Sequence, residues 1–335
     1  MGKNFSKVIA AKHLFDGVRD DSYEGYICLK DNVIVKAGTG APPQEITDQA
    51  EEFLQFDEEL VMPGITDTHT FFTGYAVHVG ADMSDVTDSE QGLKALQKYE
   101  CGRSAEGAIF GHGWDPEKWS QAEGEKMLET EYSDRAVILF AADRSTCIMN
   151  RKARELYGFT PESCYPESYH RIMREYLNDR EFIEKEFSDY MKMMNSRGVT
   201  TVKEMGFDDF YGFTDYLKEM EDSEDMHLRF FFMSQPVGEK MNLPYARAMR
   251  EKFTGDKVRF SGFNRMTDGT IAAYKGDLKT PYEGQTSTCT IDIPYDEIEA
   301  DVLAADAEDF RWSLHAQGDG AVGKITQIYE KCKKE

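Results

Sequence analysis

Apolar residues fall into short runs between charged or glycine-bearing stretches, a rhythm suited to strands alternating with amphipathic helices. Residues 7–15, 26–30 and 33–38 read as strands, with Asp31-Asn32 as the turn between the last two. Leu60, Val61, Met62 and Ile65 form a further run, broken by Pro63-Gly64, that reads as a buried strand with a bend. At its polar end stand Asp67 and His69. Residues two apart on a strand share a face, so this carboxylate and imidazole emerge together at the strand tip. Helical spacing over 85–99 follows a Thr87-Asp88-Ser89-Glu90 start suited to capping. A short strand then runs into Gly111-His-Gly-Trp-Asp115, an apolar strand spans 136–141, and a helix covers 151–157. The charged amphipathic helix over 181–195 ends at Arg197-Gly198, where glycine takes the left-handed cap. Strands follow at 199–206, 228–234 and 258–263. Repetition of strand and helix predicts an α/β fold with a parallel sheet, and functional side chains at strand tips suit a barrel.

Composition narrows the class without naming the chemistry. A chain of 335 residues with 40% hydrophobic content builds a real core as one large or two modest domains. The formal net charge of −23 argues against nucleic-acid and anionic-membrane binding, which both need Lys and Arg to meet phosphates. Acidic clusters near 45–59, 117–131, 219–224 and 296–309 read as solvated surface. No apolar run approaches the roughly 18 residues of a membrane span, and residues 1–7 lead into no signal-peptide core. Met1-Gly2 with Ser6 superficially fits a myristoylation pattern. The six cysteines are scattered with no Cys-x-x-Cys pair, so neither a zinc knuckle nor a disulfide framework is indicated. A reducing cytoplasm is the expected location.

Several polar residues sit where strands end. Lys203 and Glu204 close the β-branched strand from Val199, and Asp268-Gly269 follows the strand from Val258. His315 lies within Phe310-Arg-Trp-Ser-Leu-His-Ala-Gln-Gly-Asp-Gly-Ala-Val322. Taken alone, His69 and His315 are each more readily satisfied structural histidines than ligands. Trp114 and Asp115 by spacing alone fit a packed surface turn with one buried tryptophan.

The wording of these stretches resembles the amidohydrolase superfamily, in particular the YtcJ-like metal-dependent hydrolases. Val61-Met-Pro-Gly-Ile-Thr-Asp-Thr-His69 is similar to that family's first barrel strand, which reads Val-Met-Pro-Gly-Phe-Ile-Asp-Ser-His-x-His. Gly-x-Gly-Trp-Asp with a following Trp, the Val199-Thr-Thr-Val202 strand, Asn150 with Ala153, Asp268-Gly269 and the His315 context resemble further family elements. The resemblance implies an incomplete TIM-like (β/α) barrel over residues 60–335. It implies that residues 1–59 form the N-terminal part of a composite β-sandwich, a small portion completed elsewhere. It also implies a divalent metal, zinc first, with His69 and His315 as ligands. Trp114 and Asp115 would line a pocket for a small amide-like substrate, and Lys203, Glu204 and Asp268 are the catalytic candidates.

Three departures accompany the match. Phe71 stands where the second histidine of His-x-His belongs, Ser145 where another histidine belongs, and Asn264 where the family has a lysine. A phenyl ring ligates no metal, and a neutral amide cannot be carboxylated to bridge two. The resemblance covers nearly all of this chain but about two-thirds of a typical relative. The strands carrying the family's general base are therefore expected to be missing, and unpaired edges would call for a homo-oligomer or a complementary chain. Two functions follow: a hydrolase of non-peptide carbon–nitrogen bonds acting through metal-activated water, or a non-catalytic remnant or split half that binds a partner or small ligand.

Overall fold

The computed structural model describes residues 3–77, 79–101, 107–143, 145–164, 172, 179–206, 213–235 and 240–332. Backbone contacts divide the chain into two compact units, Met1–Ile65 and Thr66–Glu335.

In the first unit, β1 (Phe5–Leu14), β2 (Tyr23–Lys30) and β3 (Val33–Thr39) lie where the apolar runs place them. The β2–β3 turn puts Asp31 at a φ of 56°, a left-handed conformation that Asp tolerates. After the short helix α1 (Gln44–Asp48) comes β4 (Ala50–Val61). The acidic stretch read as solvated surface is therefore also a strand. Its side chains are mostly exposed, so it lacks the alternation that marks a half-buried strand. Parallel pairing with β1 sets it, while the exposed ion pairs Lys7–Glu52 (2.8 Å) and Lys12–Asp57 (3.4 Å) add little. The sheet order is β3-β2-β1-β4. Val8, Ala10, Tyr26 and Cys28 pack with Ile46 of α1 and Ala50, whereas the edge strand β3 leaves Val33, Ile34 and Val35 exposed. Among the described residues this unit holds one sheet; the second layer of the expected sandwich is not among them.

The second unit begins with β5 (Ile65–Thr70) and α2 (Phe72–Val77). There follow β6 (Ala81–Asp82), α3 (Ser89–Glu100), β7 (Ile109–Trp114), α4 (Gln121–Glu131), β8 (Val137–Ala141), β9 (Cys147–Met149) and α5 (Arg151–Tyr157). The rest is α6 (Arg180–Asn195), β10 (Val199–Glu204), α7 (Phe213–Asp222), β11 (Arg229–Ser234), α8 (Leu243–Lys252), β12 (Val258–Met266), α9 (Tyr295–Asp306), β13 (Trp312–His315) and α10 (Asp319–Tyr329). Local signals placed the helices well. Asp88 caps α3 by accepting from Gln91 N at 2.9 Å, and Asp179 caps α6 through Phe182 N at 3.1 Å.

The strands sort into two sheets. β5, β10, β11, β12 and β13 lie side by side in that order, with the strands from β10 to β13 paired in parallel. β6, β7, β8 and β9 make a separate four-stranded sheet closed by the antiparallel β8–β9 pair. This corrects the expectation that the strands near 107–114 and 136–141 belong to the barrel. An apolar run satisfies either sheet equally, and only long-range pairing decides between them. β5 finds its neighbour in β10, more than a hundred residues on, with the four-stranded sheet inserted between.

Behind the five-stranded sheet, α6 buries Ile183, Phe187, Tyr190, Met191 and Met194. Phe187 meets Phe72, Phe213 and Phe230 edge-on at 5.2–5.4 Å between ring centroids. Val202 and Phe232 enter the same cluster. The opposite face is therefore the one left for chemistry. No helix among the described residues is long and apolar enough to cross a membrane.

Candidate active site

β5 and β13 are the two edges of the five-stranded sheet, yet the rings of His69 and His315 at their tips lie 6.2 Å apart, edge to face. The sheet is thus curled into a half barrel that brings its two ends towards each other. Register identifies the residues that share this concave face. Met205 N donates to Thr70 O at 3.0 Å, which in a parallel ladder sets Thr70 beside Glu204 and His69 beside Lys203. On the far side His315 pairs with Met266, so Asn264, two residues back, points the same way. The curl therefore gathers His69, Lys203, Asn264 and His315.

Each of these has a defined electrostatic setting. Burial, and then the neighbouring charge of His315, hold His69 below the usual imidazole range, against a smaller upward pull from Asp67. The Asp67 carboxylate turns back on its own strand and accepts from His69 N at 3.2 Å. Lys203 is half-buried, its side-chain amine forms no hydrogen bond or ion pair with any described residue, and it is held below the usual lysine range by burial. Asn264 is 4% exposed; its Nδ2 donates to Met205 O at 3.1 Å, while its Oδ1 has no partner. Gln317 Nε2 stands 3.5 Å from His315 Nε2.

The other expected site residues sit elsewhere or are already engaged. Glu204 faces the helices and is wholly buried, its Oε2 accepting from Phe72 N at 2.6 Å. Burial pushes its carboxyl up to about 8, against the pull of the Phe72 and Gly206 amides. It ties the β5–α2 turn to β10 and does not reach the concave face. Asp268 spends its carboxylate on three backbone amides: Gln317 N (2.9 Å), Asp277 N (2.9 Å) and Gly318 N (2.8 Å). It clamps the tip of β12 to the approach of α10, a scaffold task.

Trp114 belongs to the core of the four-stranded sheet at 1% exposure, with Nε1 donating to Trp119 O at 3.2 Å. It offers a substrate no wall, which is the packed-turn arrangement that spacing alone suggested. Asp115 shapes that turn by accepting from Glu117 N at 2.9 Å. Ser145 closes a turn with Asp143, its Oγ donating at 2.8 Å. Phe71 lies 5.4 Å from the His69 ring and supplies an apolar edge to the cleft. Sequence reading missed Gln317 and the unpaired oxygen of Asn264. Only the Asp268 clamp, which turns the chain after His315, brings Gln317 near the imidazole.

The model of the Amidohydrolase family matches residues 57–335. The chain belongs to the amidohydrolase family. No curated protein matches it. Among solved structures it is similar to an ochratoxinase from A. niger at 12% identity and a TM-score of 0.42, covering 98% of this chain and 58% of that one. A molinate hydrolase gives 11% identity, a TM-score of 0.32, and coverage of 98% and 63%. The L-hydantoinase (dihydropyrimidinase) from Arthrobacter aurescens gives 11% identity, a TM-score of 0.16, and coverage of 76% and 64%. The chain spans about three-fifths of the length of these proteins. With likeness this low, the family match carries the assignment.

The amidohydrolase family typically uses a divalent metal. A hydrolytic metal takes about three protein ligands from His, Asp, Glu or Cys. Among the described residues no three such side chains come together. Two imidazoles face each other, but Asp67 is turned onto backbone, Phe71 ligates nothing, and Asn264 offers only a neutral oxygen. The described residues do not fit a hydrolytic metal centre.

Proposed function

We propose that this chain is a hydrolase of the YtcJ-like kind, acting on a carbon–nitrogen bond of a small amide held in the concave face of the curled sheet. The approach of His69 and His315 across that face carries the reading. Residues 246 apart in sequence converge from opposite edges of one sheet, as a barrel enzyme requires of side chains at its strand tips. A neutral imidazole accepts a proton from water, and His69 is held towards that form. His315, with Gln317 beside it, presents a second polar edge to the amide. Phe71 shields one side from solvent.

A second reading has its own support. With Phe71 and Asn264 in place of metal-binding side chains and no third ligand at hand, the cleft suits binding of a small amide without turnover. A second copy or a complementary chain would complete it.

The test uses the purified chain and a panel of N-acyl amino acids and cyclic amides, with amine or acid release followed by chromatography. Metal content is measured on the same protein. Hydrolysis that falls at least about 100-fold in both His69→Ala and His315→Ala supports the hydrolase. Hydrolysis unchanged in both variants overturns it. Binding of an amide without turnover, with zinc or manganese supplied, and loss of that binding in His69→Ala, selects the second reading.

A further inference from the structure

Lys203 and Asn264 remain unexplained by hydrolysis. Lys203 stands beside His69 in the ladder, about 4.8 Å away backbone to backbone, on the concave face. Lysines elsewhere in the chain commonly meet carboxylates, as Lys324 meets Asp277 and Lys331 meets Glu299. Lys203 meets none among the described residues, and burial alone perturbs it. A half-buried amine on the concave face, beside an imidazole and with no carboxylate paired to it among the described residues, is placed to act as a nucleophile. Asn264 supplies the second, independent feature. Its side chain is anchored through Nδ2 on Met205 O, two residues beyond Lys203 on the same strand, so its free Oδ1 is fixed in position. A buried carbonyl oxygen without a donor is costly to leave unsatisfied, and a ligand hydroxyl or amide N–H would satisfy it.

We propose that Lys203 is a nucleophilic amine that captures a small aldehyde carrying a neighbouring hydroxyl, with Asn264 Oδ1 accepting a hydrogen bond from that hydroxyl. The amine nitrogen attacks the carbonyl carbon to give a carbinolamine. The carbon–oxygen bond then breaks, and the oxygen leaves as water with both protons of the amine, relayed through the adjacent imidazole. The product is an imine and one water, with no change of oxidation state. This activity does not depend on whether the cleft also hydrolyses amides.

Glycolaldehyde and propionaldehyde, each supplied with cyanoborohydride to trap the imine by hydride addition, test the proposal on the intact wild-type chain by peptide mass spectrometry. Lys203 is expected to label at least about tenfold faster than the exposed Lys152, and faster with glycolaldehyde than with propionaldehyde. Asn264→Leu is expected to bring the two aldehydes to equal rates at Lys203 while leaving it reactive. Labelling of Lys203 no faster than Lys152 overturns the proposal, and needs no variant to observe. Equal rates for both aldehydes in the wild type overturn the role of Asn264. The outcome is separate from the amide test, since reductive labelling reads the amine and amide release reads the hydrolase.

Discussion

Two buried asparagines show how differently the two sheets of the second unit are finished. Asn150, at the start of α5 behind the four-stranded sheet, uses its whole amide. Oδ1 accepts from Ala153 N (3.0 Å) and Val137 N (3.2 Å), and Nδ2 donates to Tyr132 O and Arg135 O, both at 2.7 Å. Asn264, on the concave face of the curled sheet, makes one bond and leaves an oxygen empty. Buried polar groups are normally paired, so the first is a rivet and the second is a group awaiting a partner. Trp114 and Asp115 in the inserted sheet are spent on neighbouring backbone, whereas Lys203 on the curled sheet has no partner among the described residues.

The contrast breaks most visibly under substitution. Asn150→Ala strips bonds from two amides and two carbonyls and is expected to cost about 3–5 kcal/mol in urea unfolding. Asn264→Leu is expected to cost about 1 kcal/mol, because removal of the unpaired oxygen offsets much of the lost bond. Equal costs at the two positions would show that Asn264 is a rivet as well.

A smaller effect sharpens the distinction between the two faces of the curled sheet. The Glu204 carboxyl titrates near 4.5 when unfolded and is pushed up to about 8 in the folded chain. Between those values the folded chain holds a proton that the unfolded chain releases. Its contribution is therefore complete below about pH 4.5 and is lost as pH rises through about 8. Glu204→Gln keeps an acceptor for Phe72 N and cannot ionise. Relative to that variant, the wild type should lose about 3–4 kcal/mol between pH 5 and 8. Parallel stability profiles would place Glu204 in contact with water. The smallest effect belongs to Lys203→Met, which removes a half-buried amine with no partner among the described residues and should change stability by no more than about 1 kcal/mol. A larger loss would reveal an ion pair.

Much of this organisation was legible in the sequence, for physical reasons that differ by residue. Asp88 and Gly198 act within one turn of themselves, so the start of α3 and the end of α6 could be read directly. His69 and His315 were legible because their motifs carry whole strand tips. β4 was not, because backbone pairing holds it and its side chains face water. The assignment of β7 and β8 to their own sheet was hidden because a buried strand reads alike in any sheet. Glu204, Asp268 and Trp114 were expected to serve substrate, and the fold uses them otherwise. Whether a polar side chain at a strand tip faces the cleft, the helices or its own backbone depends on register and on donors distant in sequence.

The central claim is that His69 and His315 share one cleft, and it is most directly tested by following the His69 imidazole through its titration by NMR in the wild type and in His315→Ala. Proximity predicts that His69 titrates below the ordinary imidazole range in the wild type and moves up towards it when His315 is removed. An unchanged titration of His69 in His315→Ala would contradict the shared cleft.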